Sequence, residues 1–335
     1  MGCVCSHGED DAEYKNENFQ RNYDIDNKFK TNRTLLEKLI KLQSIIKGRL
    51  FRKKFYEELD DNDQMNYKFI TTDKIDQSEL EELFKTYPPL NDGIEVEVRS
   101  PAQFNNKVIY FGEWDKENNL RHGRGIQLWI DGAKFLGCWK NGKACGKGKL
   151  IHADGDVYDG DWLDDKPSGY GIYIHSDGTK YEGEWKDDKQ NGKGKEVWAD
   201  GTSYEGNYVD GKKQGYGVFR WADKSIYKGQ FFNNNIHGKG IYTFADGREY
   251  DGDWVNNKLE GKGVFTWKDG RKYIGEYKND KKEGMGLFEW PNGRKYNGEW
   301  KNGKQDGEGE MYFPAENKWK KGIWKNGKTI SYQDE

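Results

Sequence analysis

A pair of glycines separated by one residue recurs along this chain every 23 residues, nine times in succession. A second pattern precedes each pair: an aromatic residue followed two positions later by glycine and four positions later by another aromatic residue. A fixed period of about 20 to 50 residues is typical of proteins that stack one small structural unit. The period therefore constrains the fold more than any other feature. The glycine pairs begin at residues 123, 146, 169, 192, 215, 238, 261, 284 and 307.

Each unit has the pattern of two β-strands. Asp-Gly or Asn-Gly pairs recur between the aromatic-rich stretches, and the pair Asp223-Lys224 is the one lapse. Such pairs are the strongest short signal for a hairpin turn. The sequence therefore predicts a mainly β fold. The regular pairs begin at residues 131, 154, 177, 200, 246, 269 and 292.

Glycine recurs at positions where an aromatic ring is expected to pack directly on the backbone. Alternate residues of a strand share a face, so Tyr181, Gly183 and Trp185 are expected on one face of the sheet. We expect both glycines of a pair, such as Gly215 and Gly217, on this face as well. Glycine is a poor strand former, but a ring from a neighbouring strand can lie on it and exclude water from the backbone.

Charge is balanced along the repeats. Residues 108–335 hold 38 basic and 37 acidic residues, with acids frequent on first strands and bases on second strands. Opposite charges on neighbouring strands stabilise the correct register. A nucleic-acid-binding domain would carry a basic surplus, so no nucleic-acid partner is expected.

These residues resemble the MORN repeat (membrane occupation and recognition nexus). The similarity extends from residue 108 to about residue 325. It implies an elongated single-layer antiparallel meander. It also implies scaffold roles in cilia, cytoskeletal structures and membrane junctions, or an appendage to an enzyme. The near-neutral array does not favour the phospholipid binding proposed for the family.

Four regions are predicted. Residues 1–32 form a polar tether, residues 33–59 a basic amphipathic helix, residues 60–107 an acidic linker, and residues 108–330 nine repeats with a degenerate tenth. The linker contains a short N-terminal α-helical segment with a capping box of Ser78 and Glu81. It also contains an alternating segment, residues 94–98, that is expected to pair with the first edge of the array.

The sequence begins MGCVCS, a pattern typical of double acylation. Gly2 fits the N-myristoylation signal, and Cys3 and Cys5 are candidates for palmitoylation. One acyl chain binds a membrane only reversibly, whereas two give a stable anchor. The alternative is an unmodified terminus.

The segment LQSIIKGRLFR resembles the IQ motif, which binds calmodulin. An apolar helix face flanked by bases suits a partner with a hydrophobic groove and acidic rims. The alternatives are that this helix docks on the array or lies on anionic lipid. The predicted binding residues are Leu42, Gln43, Ile46, Lys47, Gly48, Leu50 and Arg52.

No catalytic or metal-binding pattern is found, so we expect no enzyme activity and no cofactor. The five histidines have no partner at metal-ligand spacing. Residues 322–329 fit the letters of a phosphate-binding loop, but they lack the strand and helix that such a loop requires.

The sequence thus predicts a non-enzymatic scaffold on the cytoplasmic face of a membrane, at a cilium or the cell cortex. Calmodulin or a related EF-hand protein would bind its helix, and a protein or helix would dock in an aromatic trough. The alternatives are a phospholipid-binding accessory subunit of a phosphoinositide enzyme, or an unanchored ciliary or cytoskeletal protein. The trough residues are Tyr158, Trp162, Tyr181, Trp185, Tyr204, Tyr208, Trp221, Tyr250, Trp254 and Trp267.

Overall fold

The computed structural model describes residues 67–69 and 75–333. These residues belong to two compact units, one ending at Glu249 and the other starting at Tyr250. The first unit holds helix α1 (Gln77–Thr86), and β15 (Glu249–Val255) spans the boundary. The strands of the first unit are β1 (Tyr67–Phe69), β2 (Val96–Phe104), β3 (Ile109–Asp115), β4 (Arg121–Leu128), β5 (Lys134–Lys140), β6 (Lys143–Ile151), β7 (Val157–Leu163), β8 (Lys166–Ile174), β9 (Lys180–Lys186), β10 (Lys189–Val197), β11 (Ser203–Val209), β12 (Lys212–Arg220), β13 (Ile226–Phe232) and β14 (Asn235–Thr243). Those of the second are β16 (Lys258–Thr266), β17 (Lys272–Lys278), β18 (Lys281–Glu289), β19 (Lys295–Lys301), β20 (Lys304–Phe313), β21 (Lys318–Lys325) and β22 (Lys328–Tyr332).

Within each unit, strands that follow one another in the chain pair in antiparallel fashion. Glycine lies opposite glycine in successive pairs, as with Gly171 and Gly183 between β8 and β9. This arrangement confirms the predicted antiparallel meander. We call the side that carries Tyr181 and Trp185 the ring face, and the opposite, charge-bearing side the outer face.

Two kinds of turn connect the strands. The Asp-Gly pairs lie in turns between successive repeats, where Gly155 has a φ of 92° and Lys224 has a φ of 74°. In every repeat except the first, the internal hairpin is a two-residue turn with positive φ at both positions, such as Asp164 and Asp165. Mirror-image turns of this kind match the twist of paired strands and favour Asn, Asp and Gly. Sequence analysis missed this second turn, although Asn or Asp recurs at its first position every 23 residues.

The first glycine of each Gly-x-Gly pair is a bulge residue. A Cβ atom on Gly217 would lie 2.6 Å from the ring of Tyr204, on the ring face. A Cβ atom on Gly215, which has a φ of 69°, would instead be 3.6 Å from the Asn207 side chain. The prediction that Gly215 and Gly217 share a face is therefore wrong. The register shifts here, because residues 214–216 of β12 lie opposite the single residue Asn207 of β11, and this bulge changes the side that the strand presents.

Acidic side chains of the first strands hydrogen-bond to these bulges. The backbone N–H of Tyr170 donates to Asp161 at 2.9 Å, and that of Lys193 donates to Glu184 at 2.9 Å. Asp161 also forms an ion pair with Lys147 at 2.6 Å. Some acids of the outer face therefore satisfy bulge amides in addition to pairing with bases.

Helix α1 packs against the outer face of β3 and β4. Its Leu80 and Leu83 form a buried cluster with Ile109, Phe111 and Ile126. The helix is capped two residues earlier than predicted, because Asp76, not Ser78, is the N-cap and accepts from the Ser78 N–H at 3.1 Å.

The linker also contributes to the sheet edge. β2 pairs with β3, as expected for the alternating segment that precedes the repeats, and β1 pairs with β2. No helix in the described ranges is long and apolar enough to cross a membrane. Residues 322–329 lie in the hairpin of β21 and β22, and up to residue 333, where the described part ends, no helix follows β21.

The lapse at Lys224 gives a stability prediction. A non-glycine residue with positive φ costs about 1–2 kcal/mol, so Lys224→Gly should raise the free energy of unfolding by about 1 kcal/mol. The converse variant, Gly201→Lys, changes the same turn position of the preceding repeat, where φ is 83°, and should destabilise. Urea unfolding measures both. Equal stability of wild type and Lys224→Gly would contradict the prediction.

Candidate functional site on the ring face

Each repeat seats one tyrosine or phenylalanine ring on glycine backbone. The Tyr181 ring lies over Gly194 of the next strand, where an added Cβ atom would be 2.5 Å from its Cε2. The Tyr181 hydroxyl donates to the Glu184 carbonyl at 3.0 Å, which fixes the ring. The predicted contact between rings and glycines is present. The same hydroxyl bond is made by Tyr110, Tyr158, Tyr204, Tyr227, Tyr250, Tyr273 and Tyr296.

A second ring in each repeat packs edge-on against the first. Tyr158 contacts Trp162 of its own strand at 5.2 Å and Trp185 of the next repeat at 5.3 Å between centroids. The indole N–H of Trp162 donates to the Gly148 carbonyl at 2.9 Å. Within each unit the rings therefore form a row that links one repeat to the next.

Eight of the ten rings predicted to form the trough belong to this row. The other two, Trp221 and Trp267, instead contact Tyr242 at 5.2 Å and Phe288 at 5.5 Å between centroids. The rings are closely packed. All ten are at most 9% exposed. A partner on this face would therefore contact ring edges and the side chains between them. Docking on these rings stays a prediction. The acylation residues Gly2, Cys3 and Cys5 and the IQ-like residues from Leu42 to Arg52 lie outside the described residues.

Sequence analysis missed a position that inserts one further side chain among the rings. It lies two residues before the first glycine of each Gly-x-Gly pair, and we call it the insert position. In three repeats the insert is a cation: Arg121, Lys213 or Lys282. The sequence does carry a signal for this position, because these three basic residues are separated by multiples of 23 residues. In the other repeats the insert is Ala144, Pro167, Gln190, Ile236, Leu259 or Gln305.

The first inserted cation, Arg121, is buried and hydrogen-bonded. Its guanidinium lies 4.4 Å from the Trp139 ring centroid and donates to the Gln127 side chain and the Gly142 carbonyl. Burial lowers the pKa of Arg121, and the nearby Asp165 carboxylate opposes that effect. The Arg121 guanidinium therefore has hydrogen-bond partners within the protein and a structural role.

The second inserted cation, Lys213, has its own buried carboxylate. Its Nζ lies 3.1 Å from Glu196 Oε2, and the Tyr208 hydroxyl donates to the same oxygen at 3.0 Å. The rings of Trp198 and Tyr204 lie 5.0 and 4.9 Å from the ammonium. Burial lowers the pKa of Lys213, and Glu196 opposes that effect. This cluster combines cation–π contacts with a buried ion pair.

The third inserted cation, Lys282, lacks such a carboxylate. Among the described residues, no acid lies within ion-pair distance of its Nζ and no hydrogen bond satisfies it. Burial lowers the pKa of Lys282 to about 7, and repulsion from Arg271 adds to this shift. The side chain is partly exposed. The amine lies among four rings, at 5.1 Å from Trp267, 5.0 Å from Tyr273, 4.4 Å from Phe288 and 4.6 Å from Trp300.

The repeat explains this difference. Phe265 occupies in the second unit the position that Glu196 holds in the first. Tyr277 corresponds to Tyr208, and its hydroxyl is buried without a hydrogen-bond partner in the described part of the chain. Lys282 and Tyr277 are therefore two donors whose shared acceptor is replaced by a ring. No group of three or more His, Cys, Asp or Glu residues suited to a metal occurs in the described ranges.

The Lys213 cluster gives a prediction about stability. Lys213→Met should lower the free energy of unfolding by about 3–5 kcal/mol, because Glu196 stays buried without its cation. The double variant Lys213→Met/Glu196→Leu should recover much of this loss. Gln190→Met is the matched control, because it makes a neutral change at the insert position of the preceding repeat. Urea unfolding measures each; equal losses in the single and double variants would exclude a coupled pair.

Lys282 gives a pH prediction. Its folded pKa of about 7 lies below the ordinary value of about 10.4, so the unfolded chain binds more protons between these pH values. Wild-type stability should therefore rise with pH across this window. Lys282→Met removes the titrating amine, so its stability no longer depends on this protonation. The difference in the free energy of unfolding between this variant and wild type should be largest below pH 7 and should shrink toward pH 10. Urea unfolding at several pH values tests this, and parallel pH profiles would contradict it.

The repeats match a known family. A family model described as the MORN repeat matches nine stretches that begin at the same aromatic residues as the predicted units, together more than half of the chain. No curated protein shows a significant match. The matched stretches are residues 110–134, 135–157, 158–180, 181–203, 204–226, 227–247, 250–270, 273–293 and 296–317.

Several solved structures are distantly similar. The TCP10 domain of Danio rerio CPAP is 15% identical, covers 63% of this chain and 99% of its own, and has a TM-score of 0.35. The Drosophila melanogaster SAS-4 (dCPAP) TCP domain, in complex with a proline-rich motif of Ana2 (dSTIL), is 13% identical over 46% of this chain and 84% of its own, with a TM-score of 0.30. Virginiamycin B lyase from Staphylococcus aureus is 10% identical over 78% and 88%, with a TM-score of 0.14. The family assignment rests on the nine repeat matches.

Proposed function

The chain belongs to the MORN repeat family, and we propose that it acts as a non-enzymatic scaffold that docks helices on its repeat array. In this proposal, acylation of Gly2, Cys3 and Cys5 holds the protein on the cytoplasmic face of a membrane. The basic segment 34–59 recruits calmodulin or a related EF-hand protein. The array then positions a further partner near that membrane.

The observation that carries the docking function is the packing of α1. This helix is amphipathic, and it places Leu80 and Leu83 on apolar side chains of the outer face. Charged contacts surround the apolar ones: Lys134 pairs with Glu79 at 2.8 Å, and the Arg124 guanidinium lies 4.3 Å from the Phe84 ring. The chain thus contains an example of a helix bound to its own repeat surface.

The outer face of later repeats offers similar chemistry. Tyr216 is 60% exposed, Phe232 is 49% exposed and Val209 is 50% exposed, and all three point to the outer side of β11–β13. Lys228 lies between Val218 and Ile241 in the paired strands. Exposed apolar groups beside charges suit an amphipathic helix of a partner protein.

The membrane anchor is tested by fractionation of cells that express the full chain. Wild type should be found with membranes, whereas Gly2→Ala should move to the soluble fraction, because palmitoylation of Cys3 and Cys5 follows initial myristoyl-dependent binding. The double variant Cys3→Ser/Cys5→Ser should show an intermediate loss. Retention of Gly2→Ala on membranes would favour the alternative of direct lipid binding. A wild type found only in the soluble fraction would favour the unanchored alternative.

The calmodulin interaction is tested by retention of the full chain on calmodulin resin, with and without calcium. Replacing Gln43 and Arg52 by alanine should reduce retention, because these residues are part of the IQ-like match. Replacing the exposed bases Lys262 and Lys281 by alanine is the matched control, because it removes charge on the array instead. Equal retention of both variants would contradict a role for the segment.

Docking on the outer face is tested by photocrosslinking in cells. A photoreactive residue at position 216 or 232 should capture one discrete partner, and the substitutions Val218→Lys and Ile241→Lys should abolish that product. A photoreactive residue at exposed Lys301, on another repeat, is the control. Identical products at 216 and 301 would show nonspecific capture and exclude a localised docking surface.

A further inference from the structure

We infer that Lys282 and Tyr277 form a site for a carboxylate supplied by an acidic side chain of a partner protein. This inference goes beyond helix docking on the outer face, because it assigns a ligand to a different surface, the ring face of the second unit. It rests on a comparison between two repeats of the same chain.

The first unit contains an occupied example of such a site. Lys213 and Tyr208 are cross-strand partners, and both donate to Glu196 Oε2, at 3.1 and 3.0 Å. Trp198 and Tyr204 flank the ammonium. An amine, a phenol and two rings thus hold one carboxylate within this fold.

The second unit contains the equivalent arrangement without its acceptor. Lys282 and Tyr277 are likewise cross-strand partners, and Trp267 and Tyr273 flank the amine at 5.1 and 5.0 Å. The acid is absent because the corresponding residue is Phe265, which is itself buried. The same donors are therefore present, and the chain provides no carboxylate for them among the described residues.

A bound carboxylate would be favoured because it would satisfy the Tyr277 hydroxyl. Tyr277 is 6% exposed and its hydroxyl has no hydrogen-bond partner in the described ranges. A buried polar group without a partner costs free energy that an acceptor would recover. Lys282 is partly exposed, so an incoming carboxylate would meet the amine first and the enclosed phenol second.

Charge also favours an anion. Arg271 lies 5.4 Å from the centroid of the same Trp267 ring. Asp269 forms an ion pair with Arg271, so the charge of Lys282 is not balanced by that acid. A carboxylate beside Lys282 would restore the protonated amine, because an opposite charge favours the charged form. The rings of Phe288 and Trp300 would exclude water from the ion pair and strengthen it.

A carboxylate fits better than a phosphate because the equivalent arrangement in the first unit binds a carboxylate, that of Glu196. Glu196 uses one oxygen for both donors, so a single planar acid satisfies the arrangement. The partner is therefore a protein segment that presents Asp or Glu between apolar residues, which would contact the ring edges.

The experiment uses the full chain and two blocked tripeptides, Leu-Glu-Leu and Leu-Gln-Leu. Binding is followed by NMR of the lysine ε-carbons in protein labelled with ¹³C-lysine. Wild type should bind the glutamate peptide about tenfold or more tightly than the glutamine peptide, as expected for a charge-assisted hydrogen bond. Lys282→Met should lose this preference, and the exposed outer-face variant Lys262→Met should keep it.

A second variant separates loss of the site from loss of folding. Phe265→Glu supplies an internal acid in the manner of Glu196, so it should abolish the peptide preference and raise the pKa of Lys282, whereas Phe265→Leu should keep the preference. Equal affinity of wild type for the two peptides would overturn the inference. So would unchanged preference in Lys282→Met, or tighter binding of a phosphoserine peptide than of the glutamate peptide. None of these outcomes affects the outer-face crosslinking test.

Discussion

The structure depends on the contact between an aromatic ring and a bare glycine backbone. A sheet that forms one layer has no second layer to bury its apolar side chains, and this chain has few large aliphatic residues for a conventional core. Each ring buries about 150–250 Å², which corresponds to several kcal/mol of hydrophobic stabilisation before entropy is subtracted. The rings can lie this close only because positions such as Gly183 and Gly194 carry no side chain. The composition, rich in both glycine and aromatic residues, follows from that requirement.

Polar side chains accept hydrogen bonds from backbone amides that the bulges and turns leave without a partner in the sheet. A bulge is needed in each second strand, and it leaves a backbone amide outside the regular ladder. Asp161 and Glu184 accept from these amides. The turn residue Asp165 likewise accepts from the Ala144 amide at 2.7 Å, and Asn234 accepts from the Lys213 amide at 2.7 Å, which links these two hairpins to the preceding repeats. Several acids of this protein therefore fix local backbone geometry.

Much of the fold could be predicted from the sequence, because a 23-residue period repeats each signal nine times. The strands, the alternation of Tyr181 with Glu182 and the seating of rings on glycine all follow from that period. The bulge at Gly215 could not be recognised, because strict alternation gives no sign of an inserted residue. The cap at Asp76 was missed because Ser78 offered an equally good local pattern. The inserted Lys213 and its acid Glu196 are 17 residues apart, and only the register of the sheet brings them together.

The indole bond described for Trp162 has a consequence for how the array opens. Trp162 and Trp185 each tie their own strand to a carbonyl of the preceding repeat. Tyr208 holds the same place in its repeat, and its hydroxyl donates to Glu196 of the preceding repeat instead. Phe231 also holds this place but its side chain has no group to donate, so it makes no such bond to the Gly217 carbonyl. Strand separation in the first unit should therefore start beside β13, and amide hydrogen exchange would reveal this weaker boundary.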